Sequence, residues 1–142
     1  MRALFDVNVL VAALDAQHLH HSRATHWWAQ NRAHGWSSCP LTQNGFLRVV
    51  AQPRYTHPIS LGDAFAHLRS NTQLDEHVFW PDDLSLLDEQ VINLSHVLGP
   101  NQLTDVYLLA LAVKHGGRLA TFDRAVPIAA VRKAKPHHLV VI

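Results

Sequence analysis

The apolar positions of this 142-residue chain switch repeatedly between strand-like and helix-like spacing. Arg2 to Phe5 is a short run that feeds directly into Asp6-Val7-Asn8-Val9-Leu10-Val11-Ala12-Ala13-Leu14. That is the pattern of a buried strand turning into a helix, with the strand ending at Asp6. Ser22 to Ala33 carries Ala24, Trp27, Trp28 and Asn31 at helical spacing, with Gly35 as its stop. This predicts an amphipathic helix whose tryptophans pack inward or against a partner. Trp36 to Cys39 reads as a second short strand; Pro40, Leu41 and Thr42 then lead into a helical run ending near Val50 and closed by Pro53. Ser60 is the expected N-cap of a helix over Leu61 to Leu68, and Val78-Phe79-Trp80 before Pro81 is a brief third strand. Leu84 to Leu98 has helical spacing up to Gly99-Pro100 and predicts another helix. Leu103 to His115 predicts a further one, ended by Gly116-Gly117. Arg118 to Phe122 then forms a strand that stops at Asp123, and Leu139 to Ile142, rich in β-branched residues, a terminal strand.

Strands that keep alternating with helices favour a parallel sheet, because parallel neighbours need crossover connections. The expected architecture is therefore α/β, a short parallel sheet of about four to five strands with helices on both faces. Residues 1–142 read as a single domain without internal repeat, linker or low-complexity segment, and 48% hydrophobic residues suffice for its core. Charged residues are only 16% and the net charge is +1, which excludes the disordered class. The same near-neutrality gives no basic field of the kind that announces nucleic-acid binding, so any contact with RNA has to come from the site. Cys39 is the only cysteine and cannot form an internal disulfide, and the N-terminus lacks the pattern of a secretory signal. Apolar stretches such as Val9 to Leu14 fall far short of the ~20 residues of a membrane helix. A cytoplasmic location is expected.

Twelve histidines suggest zinc, above all His18, His20 and His21. Their surroundings do not: they lie in a polar stretch with Gln17 and Ser22, no cysteine or carboxylate completes a tetrahedral set, and His137 and His138 sit in a basic tail. They read as solvated histidines that raise the net charge as pH falls toward about 6.

In open α/β sheets the working site lies beyond the carboxyl ends of the strands. Asp6 follows Ala3-Leu4-Phe5 and Asp123 follows Leu119-Ala120-Thr121-Phe122, so both carboxylates should emerge at one rim. Asp105, after Asn101-Gln102-Leu103-Thr104, joins them from the first turn of a helix whose N-terminus points at that rim. Each aspartate alone suits a structural role, Asp6 and Asp105 as helix caps and Asp123 as a turn former. Together, without matched Lys or Arg, they would repel one another, and a hard cation such as Mg2+ or Mn2+ resolves the conflict. Such an ion activates water and screens a phosphodiester during in-line attack.

Leu4-Phe5-Asp6-Val7-Asn8-Val9-Leu10 resembles the opening of PIN-domain proteins. Thr104-Asp105 with Leu109-Ala110-Leu111-Ala112 resembles their third acidic motif, and Leu119-Ala120-Thr121-Phe122-Asp123-Arg124 their fourth. The likeness runs from the first residues to the last strand, and the size resembles that of the VapC toxins. It implies a Mg2+- or Mn2+-dependent endoribonuclease, usually homodimeric, held inactive by a VapB-like antitoxin whose tail enters the active-site groove. It assigns metal binding and catalysis to Asp6, Asp105 and Asp123, and the orienting of those carboxylates to Asn8 and Thr121.

One position departs from the pattern. The family usually supplies a Glu from the helix after the second strand, where Pro40-Leu41-Thr42-Gln43-Asn44-Gly45-Phe46 offers Gln43 or Asn44. An amide ligates through its carbonyl oxygen but brings no charge, so metal affinity should fall and a second ion becomes doubtful. Asp82 and Asp83 are the nearest spare carboxylates. Arg124, and the cluster Arg132, Lys133 and Lys135, are candidates for substrate phosphates; Trp27 and Trp28 are candidates to stack bases, with core packing the commoner use. A haloacid-dehalogenase phosphatase would need an aspartate where Asn8 stands. The stronger rival is a degenerate PIN domain that binds RNA or an antitoxin without cutting.

Overall fold

The computed structural model describes Met1–Ile142 throughout. Five strands, β1 (Ala3–Phe5), β2 (Trp36–Ser38), β3 (His77–Phe79), β4 (Arg118–Thr121) and β5 (Leu139–Val141), alternate with five helices. The helices are α1 (Val7–Leu14), α2 (His21–Asn31), α3 (Pro40–Val50), α4 (Leu61–Thr72) and α5 (Leu103–Lys114). Every strand pair is parallel and the spatial order is β3-β2-β1-β4-β5. β1 therefore lies at the centre, with Leu4 opposite Ser37 on one side and Leu119 on the other.

Because strand side chains alternate, the two faces of the sheet nucleate two cores. Leu4 and Leu119 pack with Val106, Leu108, Leu109 and Leu111 of α5. Ala3, Phe5, Trp36 and Ala120 pack with Val9, Leu10, Phe46, Ala64 and Leu68 from the other helices. Helices thus cover both faces, α5 alone on one. α5 is buried along most of its length, which is why its sequence reads as a nearly continuous apolar run.

The helix expected over Leu84 to Leu98 is absent. That segment is a chain of turns with one short 3-10 turn at Leu94–His96. Local side-chain bonds compete with helix there: Ser85 Oγ accepts the Leu87 N–H at 3.1 Å and Asp88 Oδ1 the Gln90 N–H at 2.9 Å. The leucines that set the period are not a buried stripe, since Leu87, Leu94 and Leu98 are 89%, 76% and 83% exposed. Ile92 instead forms an antiparallel bridge to Val131 and tucks beside α5.

Candidate active site

The pleat that sends Leu4 and Leu119 toward α5 carries Asp6, one step past β1, and Thr121, the last residue of β4, to the same side. Asp6 is the N-cap of α1: its extended backbone (φ −67°, ψ 172°) lets Oδ1 accept the Val9 N–H at 2.7 Å. Its own N–H donates to Ala120 O at 3.1 Å, which ties it to β4. Asp105 occupies the first turn of α5 and is half-buried. Asp123 is exposed, and its Oδ1 accepts the Ala125 N–H at 2.7 Å in a tight turn. The capping role of Asp6 and the turn role of Asp123 are both present, and neither uses up the carboxylate's second oxygen.

The electrostatics couple the three. Asp6 is only 5% exposed. Burial is the main cause that pushes its carboxyl from 3.8 up to about 6; hydrogen bonds from Thr121 and Val9 pull it down, and the charges of Asp105 and Asp123 push it further up. Asp105 is also raised, first by burial and then by Asp123. The ion pairs of the molecule, Arg32 with Glu76 and Lys114 and His115 with Asp83, involve none of the three. They are mutually repelling carboxylates with no basic partner, and nowhere do three or more His, Cys, Asp or Glu side chains close into a metal-gripping cluster. Hard oxygen donors beside a buried carboxylate with no basic partner are of the chemical type that a divalent cation takes, held by few protein oxygens.

The supporting residues divide. Thr121 is fully buried against Asp6, and its Oγ1 accepts the Asp123 N–H at 3.0 Å. Asn8 hydrogen-bonds none of the three carboxylates; it is exposed in the first turn of α1. Gln43 is turned away. Its amide donates to Ser38 Oγ at 3.0 Å, beside Phe65, Leu68 and Arg69 of α4. Ser38 Oγ bonds His77 Nε2 at 2.8 Å, and His77 Nδ1 donates to Thr72 O at 3.0 Å. Asn44 lies on the solvent side of α3, and the residue that meets α1 is Gly45, against Val7. Neither amide hydrogen-bonds Asp6.

Asp82 and Asp83 are committed elsewhere. Asp82 Oδ2 accepts the Leu41 N–H at 3.1 Å at the start of α3, and Asp83 pairs with His115 Nε2 at 3.0 Å and Lys114 Nζ at 3.4 Å. Of the basic candidates, Arg124 is exposed next to Asp123. The cluster is displaced: Arg132 Nε donates to Glu89 O at 2.6 Å, and Lys133 lines a cleft with Lys114 of the last turn of α5. At 1.5 Å per residue, that turn is roughly 13 Å from Asp105. Trp27 and Trp28, partly buried, pack edge-on against Phe5 of the core with ring centroids 6.1 and 5.9 Å away.

Residues 3–133 match the model of the PIN domain family. This chain belongs to the PIN-domain family. Within it the chain is of the VapC type: it is 50% identical to Ribonuclease VapC44 of Mycobacterium tuberculosis (strain CDC 1551 / Oshkosh) over 139 residues, 98% of each chain. It is 40% identical to Ribonuclease VapC39 of the same organism over 130 residues, 88% of this chain and 91% of that one. Among solved structures, the PIN fold is shared with Mycobacterium tuberculosis VapC20, described as a Sarcin-Ricin loop cleaving toxin, at TM-score 0.64 and 13% identity over 94% of this chain and 99% of that one. VapBC2 from Rickettsia felis, solved bound to a DNA fragment from the promoter, aligns at TM-score 0.59 and 11% identity over 100% and 99% of the chains. No helix of this PIN domain is long and apolar enough to cross a membrane.

Proposed function

We propose that this PIN domain is a divalent-metal-dependent endoribonuclease, the toxin of a toxin–antitoxin pair, which hydrolyses RNA phosphodiester bonds. The observation that carries the reading is the convergence of Asp6, Asp105 and Asp123 from β1, α5 and β4 on one rim without a basic partner. The names of the relatives, ribonucleases with up to 50% identity across nearly the whole chain, support it.

In this reading Asp6, Asp105 and Asp123 hold Mg2+ or Mn2+. Such an ion supplies an activated water and screens the phosphodiester under attack. Thr121 is a positioning residue, fixing Asp6 and the start of the Asp123 turn together. Asn8 offers an exposed amide beside Asp6 to an incoming ligand, and Arg124 a guanidinium to a phosphate flanking the cut. The partners are RNA, a VapB-like antitoxin and a second copy of the chain in a homodimer; the setting is the cytoplasm.

The absence of an acid from the α3 stripe favours one rival, a domain that binds RNA or antitoxin without cutting. Purified protein is to be incubated with a mixed RNA pool in Mg2+, in Mn2+ and in EDTA, beside Asp6→Asn. Metal-dependent cutting that the variant loses supports the nuclease; intact RNA throughout, from folded protein, selects the binding-only reading.

A further inference from the structure

Phe122 lies between Thr121 and Asp123 but points the other way, because the pleat sends it to the face covered by α1 and α2. It is half-buried there, and two side chains flank its ring. The His20 imidazole lies 5.2 Å away, tilted by 45°, and the Arg23 guanidinium carbon sits 5.3 Å over the ring. His18 extends the row, 5.7 Å from His20. Arg23 is exposed and pairs with no carboxylate.

The α1–α2 connection that presents these rings is tied down at several points. Asp15 Oδ1 accepts the Gln17 N–H at 2.9 Å, His18 Nδ1 accepts the His20 N–H at 3.0 Å, and His21 Nδ1 donates to Ala12 O at 2.8 Å. The row is therefore pre-formed, and ordering it does not have to be supplied by a ligand.

We propose that His18, His20, Phe122 and Arg23 form a stacking subsite for a base of single-stranded RNA, adjacent to the cleavage centre at Asp123. The proposal rests on the nuclease reading for its location. Its chemistry is independent of it: π-faces accept any base, an unpaired guanidinium stacks on bases and meets phosphates, and neither needs a strongly basic protein. Such a subsite gives a chain whose net charge is only +1 a way to hold RNA without a basic field. One base rests on the aromatic row while the next phosphate reaches Arg124 and the acids.

The test uses the Asp6→Asn protein in Mg2+, so that bound RNA is not consumed, and fluorescence anisotropy with two probes of equal length. One is a short single-stranded uridine oligomer, the other an abasic ribophosphate oligomer. The base-bearing probe should bind more tightly. His20→Ala and Arg23→Ala should each weaken it by about fivefold or more, and His20→Ala should leave the abasic probe nearly unaffected. Arg23 is exposed, so its variant should keep the parent's thermal unfolding midpoint, which separates lost binding from lost fold. Equal affinity for the two probes, or variants that bind the uridine oligomer like the parent, would overturn the subsite. Those outcomes do not touch the nuclease reading, which falls only if the chain with Asp6 intact leaves RNA uncut.

Discussion

Thr121 Oγ1 accepts the backbone N–H of Asp123 at 3.0 Å, and the same buried hydroxyl faces the Asp6 carboxylate, whose charged form it favours. A hydroxyl has one proton, so accepting from Asp123 leaves that proton for Asp6. One side chain thereby sets the relative position of two acids from different strands. Thr121→Val keeps the shape and removes the hydroxyl, leaving the Asp123 N–H unpaired and the buried Asp6 carboxylate with the Val9 N–H alone. Stability should fall by about 1–3 kcal/mol, and RNA cleavage should fall tenfold or more with the larger effect on kcat. Thr121→Ser should retain most activity; equal losses in the two variants would mean that the methyl group, not the hydroxyl, matters.

Asp6 makes the domain's stability depend on pH in an unusual direction. Its folded-state carboxyl, at about 6, lies above its ordinary 3.8, so the folded protein binds the proton more tightly than the unfolded chain does. The stability it contributes is present below about 3.8 and is lost as pH rises through about 6. In EDTA at about pH 7.5, Asp6→Asn should therefore be more stable than the parent, by up to about 3 kcal/mol, since Asn keeps the cap to Val9. The gap should shrink to nothing near pH 4, a comparison that also removes the contributions of other titrating groups. Mg2+ should raise the unfolding midpoint of the parent and not of the variant. Denaturant titrations across the pH range check this, and a variant less stable than the parent at neutral pH would contradict the burial of Asp6.

What was legible in the sequence follows from how strongly each signal is tied to geometry. Asp6, Asp105 and Asp123 could be placed because strand ends and a helix start locate the carboxyl rim of any parallel sheet. The parallel sheet itself followed from alternation. The helix at Leu84 to Leu98 was misread because its spacing is helical while Ser85 and Asp88 cap local turns instead, and leucine spacing alone cannot reveal exposure. The hydrogen bond of Gln43 to Ser38 was not legible for a related reason. Position in a motif gives a residue's place along α3 but not which side of the helix meets α1, and that is decided by Gly45 against Val7. The pairing of His77 with Ser38 was beyond reach, since it depends on two neighbouring strands and no short-range pattern marks it.

The orientation of Gln43 leads to a sharp expectation. If the missing acid of α3 were simply neutralised in place, Gln43→Glu would restore a metal ligand. Here position 43 faces Ser38 and α4, so the new carboxylate would replace an amide that donates to Ser38 Oγ. Gln43→Glu should leave Mn2+ affinity within about twofold of the parent and lower stability by about 1 kcal/mol. Isothermal titration with Mn2+ decides it: a tenfold gain in affinity would show that the side chain swings to the rim.

Gly45 is the point at which α3 lies against the start of α1. A Cβ there would collide with Val7 Cγ2 and crowd Cγ1 at 3.1 Å, and Val7 is the residue directly after Asp6. β-branched Val7 has little rotamer freedom in a helix, so the clash can be relieved only by moving one helix off the other. Gly45→Ala has a small favourable helix-propensity effect of about 1 kcal/mol in isolation, and overpacking of about 1–3 kcal/mol opposes it. The net change should be destabilising, and RNA cleavage should drop, because the displacement is transmitted to the Asp6 cap. Val7→Ala removes both methyl groups that the new Cβ meets, so the pair Val7→Ala with Gly45→Ala should be more stable than the sum of the single effects by about 1 kcal/mol or more. A double-mutant cycle from chemical denaturation gives that coupling directly, and additivity of the two changes would mean that the α1–α3 contact yields without moving Asp6.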